Sequence, residues 1–164
     1  MAKKERKNKK KKNKAVDEGS ISAGGDVALC VNQVSRSFRT LLSRELSGVG
    51  LYAGQEGVLL ALAERDGLTA GAIAQELGVK PPTMTRTIVR MEAQGFVERR
   101  DGDDGRLTTV WITQTGRNSL QSITAATANV QAAALAGLSD KQQRNLLKYL
   151  AIVDENLSAT LASC

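Results

Sequence analysis

The run from Thr69 to Thr113, TAGAIAQELGVKPPTMTRTIVRMEAQGFVERRDGDDGRLTTVWIT, decides the fold of this chain. Ile73 and Leu77 stand at i, i+4 with Ala74 beside them, the spacing of one buried helical face. Thr69 suits the N-cap, because its hydroxyl oxygen accepts from a first-turn N–H that has no partner within the helix. The spacing predicts a short helix over 70–77, with Gly78 as its left-handed terminator. Val79 is placed to plug the corner that follows. Pro81 and Pro82 then open a second helix, where the first turn has no intrahelical N–H bond to lose.

That second helix is expected over 82–94, stopped by Gly95. Met84, Ile88 and Met91, at i, i+4, i+7, form its buried stripe. Arg86 and Arg90 lie on the opposite side, flanked by Thr83 and Thr85. Arginine bonds a guanine edge through two donors, and threonine meets a phosphate or a thymine methyl. The bland alternative for this face is solvated charge. Two alternating runs follow, 96–100 and 107–113, around the turn formers 101–106. A lone Arg106 on that loop suits the narrow minor groove, and Asp104 is placed to hold its guanidinium. The alternative is a polar hairpin loop with an incidental Arg. This order of elements is a winged helix-turn-helix, which places a helix in the DNA major groove. The DNA-contacting set expected is Thr69, Thr83, Thr85, Arg86 and Arg90, with Asp104 and Arg106 on the wing.

Residues 67–117, GLTAGAIAQELGVKPPTMTRTIVRMEAQGFVERRDGDDGRLTTVWITQTGR, resemble the winged-helix core of the MarR family of bacterial transcription regulators. The sharpest marks are PPTMTR, GFVERR and the Asp104-x-Arg106 wing, and the resemblance runs from Asp26 to Leu161. Lys80 departs from it, standing where members often carry a Ser that caps the recognition helix. Gly105 stands where the wing often has a second Arg. The resemblance implies a mainly α fold with a small β-wing, flanked by N- and C-terminal dimerisation helices. It also implies a homodimer on a pseudo-palindromic operator, and a repressor relieved by a small phenolic or aromatic acid-like effector.

With 164 residues, 41% of them hydrophobic, one domain with a real core is expected over 26–164. Only 3% are aromatic, so that core rests on Leu, Ile, Val and Ala. No apolar run approaches a membrane span, and the charged N-terminus has no apolar stretch behind it to make a secretory signal. Cys30 and Cys164 do not make a disulfide framework, which suits a reducing bacterial cytoplasm. The chain has no His, so it lacks the usual general base and the commonest metal ligand. No Walker or HExxH motif appears, and Gly48-Val49-Gly50 with Gly54 reads as a helix stop and loop. No enzyme activity, cofactor or metal is expected.

The net charge of +6 hides an asymmetry: residues 1–14 hold nine Lys or Arg and one Glu, so the remainder carries −2. Residues 1–25 are expected to be a disordered Lys-rich tail. Such a tail either holds DNA phosphates through counterion release and associates with the nucleoid, or is only a solvated appendage. A non-sequence-specific nucleic-acid or chromosome-architecture protein led by this tail is the alternative function.

Outside the winged helix-turn-helix, assigned to 54–113, the chain reads as helices. Val27, Val31, Val34, Phe38 and Leu41 or Leu42 make a stripe in a first helix, within the dimerisation segment 26–50. Residues 55–65 form a second, with Val58, Leu59 and Leu62 inward. Residues 115–136 form a long Ala- and Thr-rich helix. Ser139-Asp140-Lys141-Gln142 then resembles a capping box before a last helix carrying Leu146, Leu147, Leu150, Val153 and Leu157. Segments 26–50 and 115–164 have more apolar face than a small winged helix covers, and such faces seek a partner. In the family some members sense oxidants through a Cys in the first helix, but Cys30 lies two residues late and is expected to be a buried, small apolar group. Arg36, Arg39, Tyr52 and Trp111 are the ligand-pocket candidates, by residue type: cationic groups for a carboxylate, rings for stacking.

Overall fold

A computed structural model of the protein describes residues 26–101 and 107–163. The Lys-rich tail, Cys164 and the wing residues Asp104 and Arg106 lie outside the described residues. In chain order the elements are α1 (Val27–Leu46), α2 (Gln55–Glu64), β1 (Leu68–Thr69), α3 (Ala70–Glu76), α4 (Pro81–Ala93), β2 (Val97–Asp101), β3 (Thr108–Ile112), α5 (Gln114–Ala134) and α6 (Asp140–Ala162). The expected mainly helical fold with a small β-wing is present.

The described residues divide into two units, residues 26–35 and 36–163. In the first, Asp26 caps α1 by accepting the Leu29 N–H at 2.9 Å, and Val27, Leu29, Val31 and Val34 are exposed. The second holds the core. Leu42 and Leu46 from α1 meet Leu51, Val58, Leu59 and Leu62 around α2. Ile73, Met84, Ile88 and Met91 of the helix pair join them, with Phe96, Val97, Val110 and Ile112 from the sheet and Ile123, Ala126 and Val130 from α5. All three residues of the expected α4 stripe are at most 3% exposed.

The sheet is antiparallel in the order β1-β3-β2. Val97 pairs with Ile112 at the inner end and Asp101 with Thr108 at the outer end. Only Val97 of β2 is buried, while β3 buries Val110 and Ile112, so the core reaches the hairpin mainly through β3 and its outer pairs are solvated. β1 is absent from the sequence expectation. It is two residues long and is held by Leu68 and Thr69 opposite Val110 and Thr109, a long-range pairing with no local signature.

Two expectations are corrected. Val79 is 37% exposed and does not plug the corner between α3 and α4. Gly78, at φ +63, turns the chain so that Val79 faces outward. Leu77 packs inward instead, against Gly57, where an added Cβ would stand 3.3 Å from Leu77 Cδ2. Cys30 is exposed, not buried. The reason is that α1 buries only Leu42 and Leu46, both in its last turns.

The close approach of α5 to the sheet depends on Gly116. A methyl there would overlap the Phe96 carbonyl oxygen and lie 2.7 Å from Ile112 Cγ1. Gly116→Ala is expected to destabilise by about 3 kcal/mol, lowering the melting temperature by about 6–12 °C. An unchanged thermal transition would mean that α5 stands further from the sheet than this contact requires.

Candidate nucleic-acid interface

The first helix of the pair is built as its sequence suggests. Thr69 Oγ1 accepts the Ala72 N–H at 3.2 Å, and Leu77 N–H returns to the Ile73 carbonyl. Thr69 is half-buried and also pairs in the sheet. Its oxygen is therefore engaged, and its hydroxyl proton is what remains for a phosphate.

At the start of α4 the chain does something less usual. Pro81 and Pro82 have no N–H, and the N–H groups of Thr83 and Met84 both donate to the Lys80 carbonyl, at 2.9 and 3.2 Å. Lys80 makes no side-chain cap. The free N–H groups with which a helix N-terminus usually binds anions are thus missing or occupied. An anion at this end would meet the side chains of Lys80 and Thr83 instead of backbone N–H groups, with the helix dipole still favourable.

Arg86 and Arg90 are exposed on α4, opposite Met84, Ile88 and Met91. Among the described residues neither enters an ion pair, whereas Arg65, Arg99, Arg100 and Arg117 each do. Thr85 Oγ1 donates to the Pro81 carbonyl at 3.1 Å, and Thr87 Oγ1 likewise to Thr83 at 3.0 Å. Their methyls are thereby fixed in direction along the flanks of the helix. Val89, missed by the sequence reading, stands on the same face at 47% exposure. The signal was available: Val89 lies three residues after Arg86, outside the Met84–Ile88–Met91 stripe.

The C-terminal end of α4 is braced on two sides. Arg99 Nε meets Glu92 Oε2 at 2.8 Å, tying helix to β2. On the other side Gln94 Nε2 donates to the Gly50 carbonyl at 3.1 Å. Its Oε1 accepts from Gln55 Nε2 at 2.9 Å, and Gln55 Oε1 accepts the Tyr52 N–H at 3.0 Å. Gln55 is only 4% exposed, so both ends of its amide have to be paired, and they are. This chain of bonds couples the loop after α1 to the recognition helix. At the base of the wing, Asp66 binds the Ile112 N–H at 2.9 Å and Arg117 at 2.6 Å, locking β3 to the start of α5.

The four ligand candidates separate. Arg39 and Tyr52 line a groove of about 380 Å³ with Gln55, Val79, Thr83 and Arg90. Trp111 is elsewhere, in the wing: its Nε1 donates to Thr109 Oγ1 at 2.9 Å, and the Arg100 guanidinium covers its ring at 4.5 Å. Arg36 is exposed on α1 and is not among the groove residues. Among the described residues, no helix is long and apolar enough to cross a membrane.

Comparison with known proteins agrees with this geometry. A family model described as MarR family matches residues 53–107. YwoH of Bacillus subtilis, an HTH-type transcriptional regulator, is 36% identical over 93 residues, covering 57% of this chain and 68% of that protein. An HTH-type transcriptional regulator of Mycobacterium tuberculosis is 33% identical over 137 residues, covering 80% of this chain and 92% of that one. The crystal structure of the transcriptional regulator SlyA superposes with a TM-score of 0.75 at 26% identity, covering 82% of this chain and 96% of that one. These proteins are transcriptional regulators, not enzymes.

Proposed function

Because the chain belongs to the MarR family of winged helix-turn-helix transcriptional regulators, we propose that it works as a homodimeric repressor. It reads a pseudo-palindromic double-stranded operator and releases it when a small phenolic or aromatic acid binds. The observation that carries this reading is the exposed α4 face, where Arg86 and Arg90 have no ion-pair partner among the described residues. An arginine pair held at one-turn spacing and left unpaired is poised for guanine edges. Thr83 and Thr85 supply backbone contacts on either flank, and Thr69 donates to a phosphate. On the wing, Arg106 enters the minor groove, oriented by Asp104.

Effector control follows from the sharing of Arg90 between two surfaces. The residue belongs to the α4 face and also lines the groove with Arg39, Tyr52 and Thr83. A carboxylate held there by Arg39 and Arg90, with its ring beside Tyr52, competes with DNA for the same guanidinium. The groove's 380 Å³ suits a small aromatic acid. Neither Trp111 nor Arg36 lines this groove. The protein is a cytoplasmic bacterial one in this reading, with residues 1–14 holding it near DNA.

A selection from fragmented genomic DNA, followed by competition against random duplex, tests the proposal. Enrichment of a two-fold sequence that random DNA displaces only at large excess is the expected result. Equal displacement by random and selected DNA would instead favour the architectural reading, in which the nine basic residues of the first 14 bind any phosphate backbone.

A further inference from the structure

Val89 is the one large aliphatic side chain on the side of α4 that carries Arg86 and Arg90, and among the described residues it does not belong to the hydrophobic core. It is 47% exposed, while the apolar residues of the opposite face are at most 3% exposed. Its neighbours one turn back and one residue on are Arg86 and Arg90. A β-branched residue brings no gain in helix propensity at a solvated position, so neither the core nor the helix itself accounts for it.

We propose that Val89 is a specificity residue that reads the C5 methyl group of a thymine in the major groove. The proposal rests on the DNA-binding reading above and adds a named base to it. The floor of the major groove presents hydrogen-bond donors and acceptors at every base pair, and the thymine methyl is its apolar group. Seating Val89 on any other base edge leaves that polar edge without water and without a partner, which is unfavourable. Thymine is the base whose edge gains from the contact. Arg86 and Arg90, with Val89 between them, are four residue steps apart, about 6 Å along the helix axis. That is less than two base-pair steps of about 3.4 Å. The thymine is therefore expected in the same half-site as the guanines read by the arginines.

The test replaces single thymines by deoxyuridine, which removes only the methyl group. The probe is the duplex that the wild-type full chain selects from a random-sequence library. One thymine in each half-site is expected to cost wild-type protein about fourfold in affinity when changed to deoxyuridine, the equivalent of one buried methyl at about 0.8 kcal/mol. Val89→Ala should bind thymine and deoxyuridine duplexes alike at that position. Because Val89 supports no core contact, this variant keeps the wild-type thermal transition. The sensitive thymine should lie beside the positions whose preference is lost in a parallel selection with Arg86→Ala. A tolerated substitution at every thymine overturns the contact, as does a penalty that persists in Val89→Ala or one confined to distant bases. Failure of the wild type to enrich any sequence is a different result, and it overturns sequence-specific reading together with the methyl contact.

Discussion

A chain carrying Leu150→Asp and Val153→Asp is expected to sediment as a monomer and to lose about a thousandfold in operator affinity. The α6 helix has no buried residue, and Leu146, Leu147, Leu150, Ile152, Val153, Leu157 and Leu161 are all exposed on it. On α1, Val27, Leu29, Val31 and Val34 are likewise exposed. In the proposed homodimer a second copy covers apolar surface of this kind. Two carboxylates within such an interface would be desolvated without partners, at a cost far above what the remaining contacts return. The DNA effect exceeds the packing effect. Two linked reading heads bind two half-sites with an avidity about 10²–10⁴ times that of one, and their separation has to match half-sites about 34–36 Å apart. The substitutions leave the single chain's core intact, since neither side chain belongs to it, so the helical circular dichroism should persist. Wild-type protein sedimenting as a monomer at micromolar concentration would overturn the dimer outright.

The second large effect is at the recognition helix. Arg86→Ala or Arg90→Ala should each weaken operator binding by about 1–3 kcal/mol, with random-DNA binding changed less. Neither residue supports the fold, because both are exposed and unpaired among the described residues; melting temperature should stay within about 0.5 kcal/mol of wild type in stability terms. The two variants should differ toward an aromatic acid. Arg90 lines the groove with Tyr52 and Arg86 does not, so only Arg90→Ala should also lose release by the effector. Operator affinity that is unchanged in both variants would place some other surface against the DNA.

Much of this architecture was legible in the chain because its signals are local. Thr69 caps α3, Pro81 and Pro82 start α4, and Gln142 Oε1 accepts the Ser139 N–H at 2.8 Å ahead of α6. Each of these depends on residues within one helical turn, so spacing alone identifies it. The Met84–Ile88–Met91 stripe is of the same kind, and so is the exposed position of Arg86 and Arg90: a helix with one buried side puts its charges on the other. By itself the sequence determined the helix-turn-helix, the hairpin that follows it, and the sidedness of the recognition helix.

What only the tertiary structure decided involves partners distant in sequence. β1 exists because Leu68 and Thr69 meet Val110 and Thr109. The Gln55–Gln94 bond spans 39 positions, and Gln55 has no local reason to be buried. Trp111 looked like a ligand-stacking ring from its type, yet it lies beneath Arg100 and against Gly67 in the wing. Cys30 was expected inside as a small apolar group in a helix with an apolar stripe, but a stripe states which face of α1 is apolar without stating what covers it. Periodicity reports sidedness, because that is set by the helix's own 3.6-residue repeat. Burial is set by whatever other element arrives at that face, and among the described residues of α1 only Leu42 and Leu46 are buried.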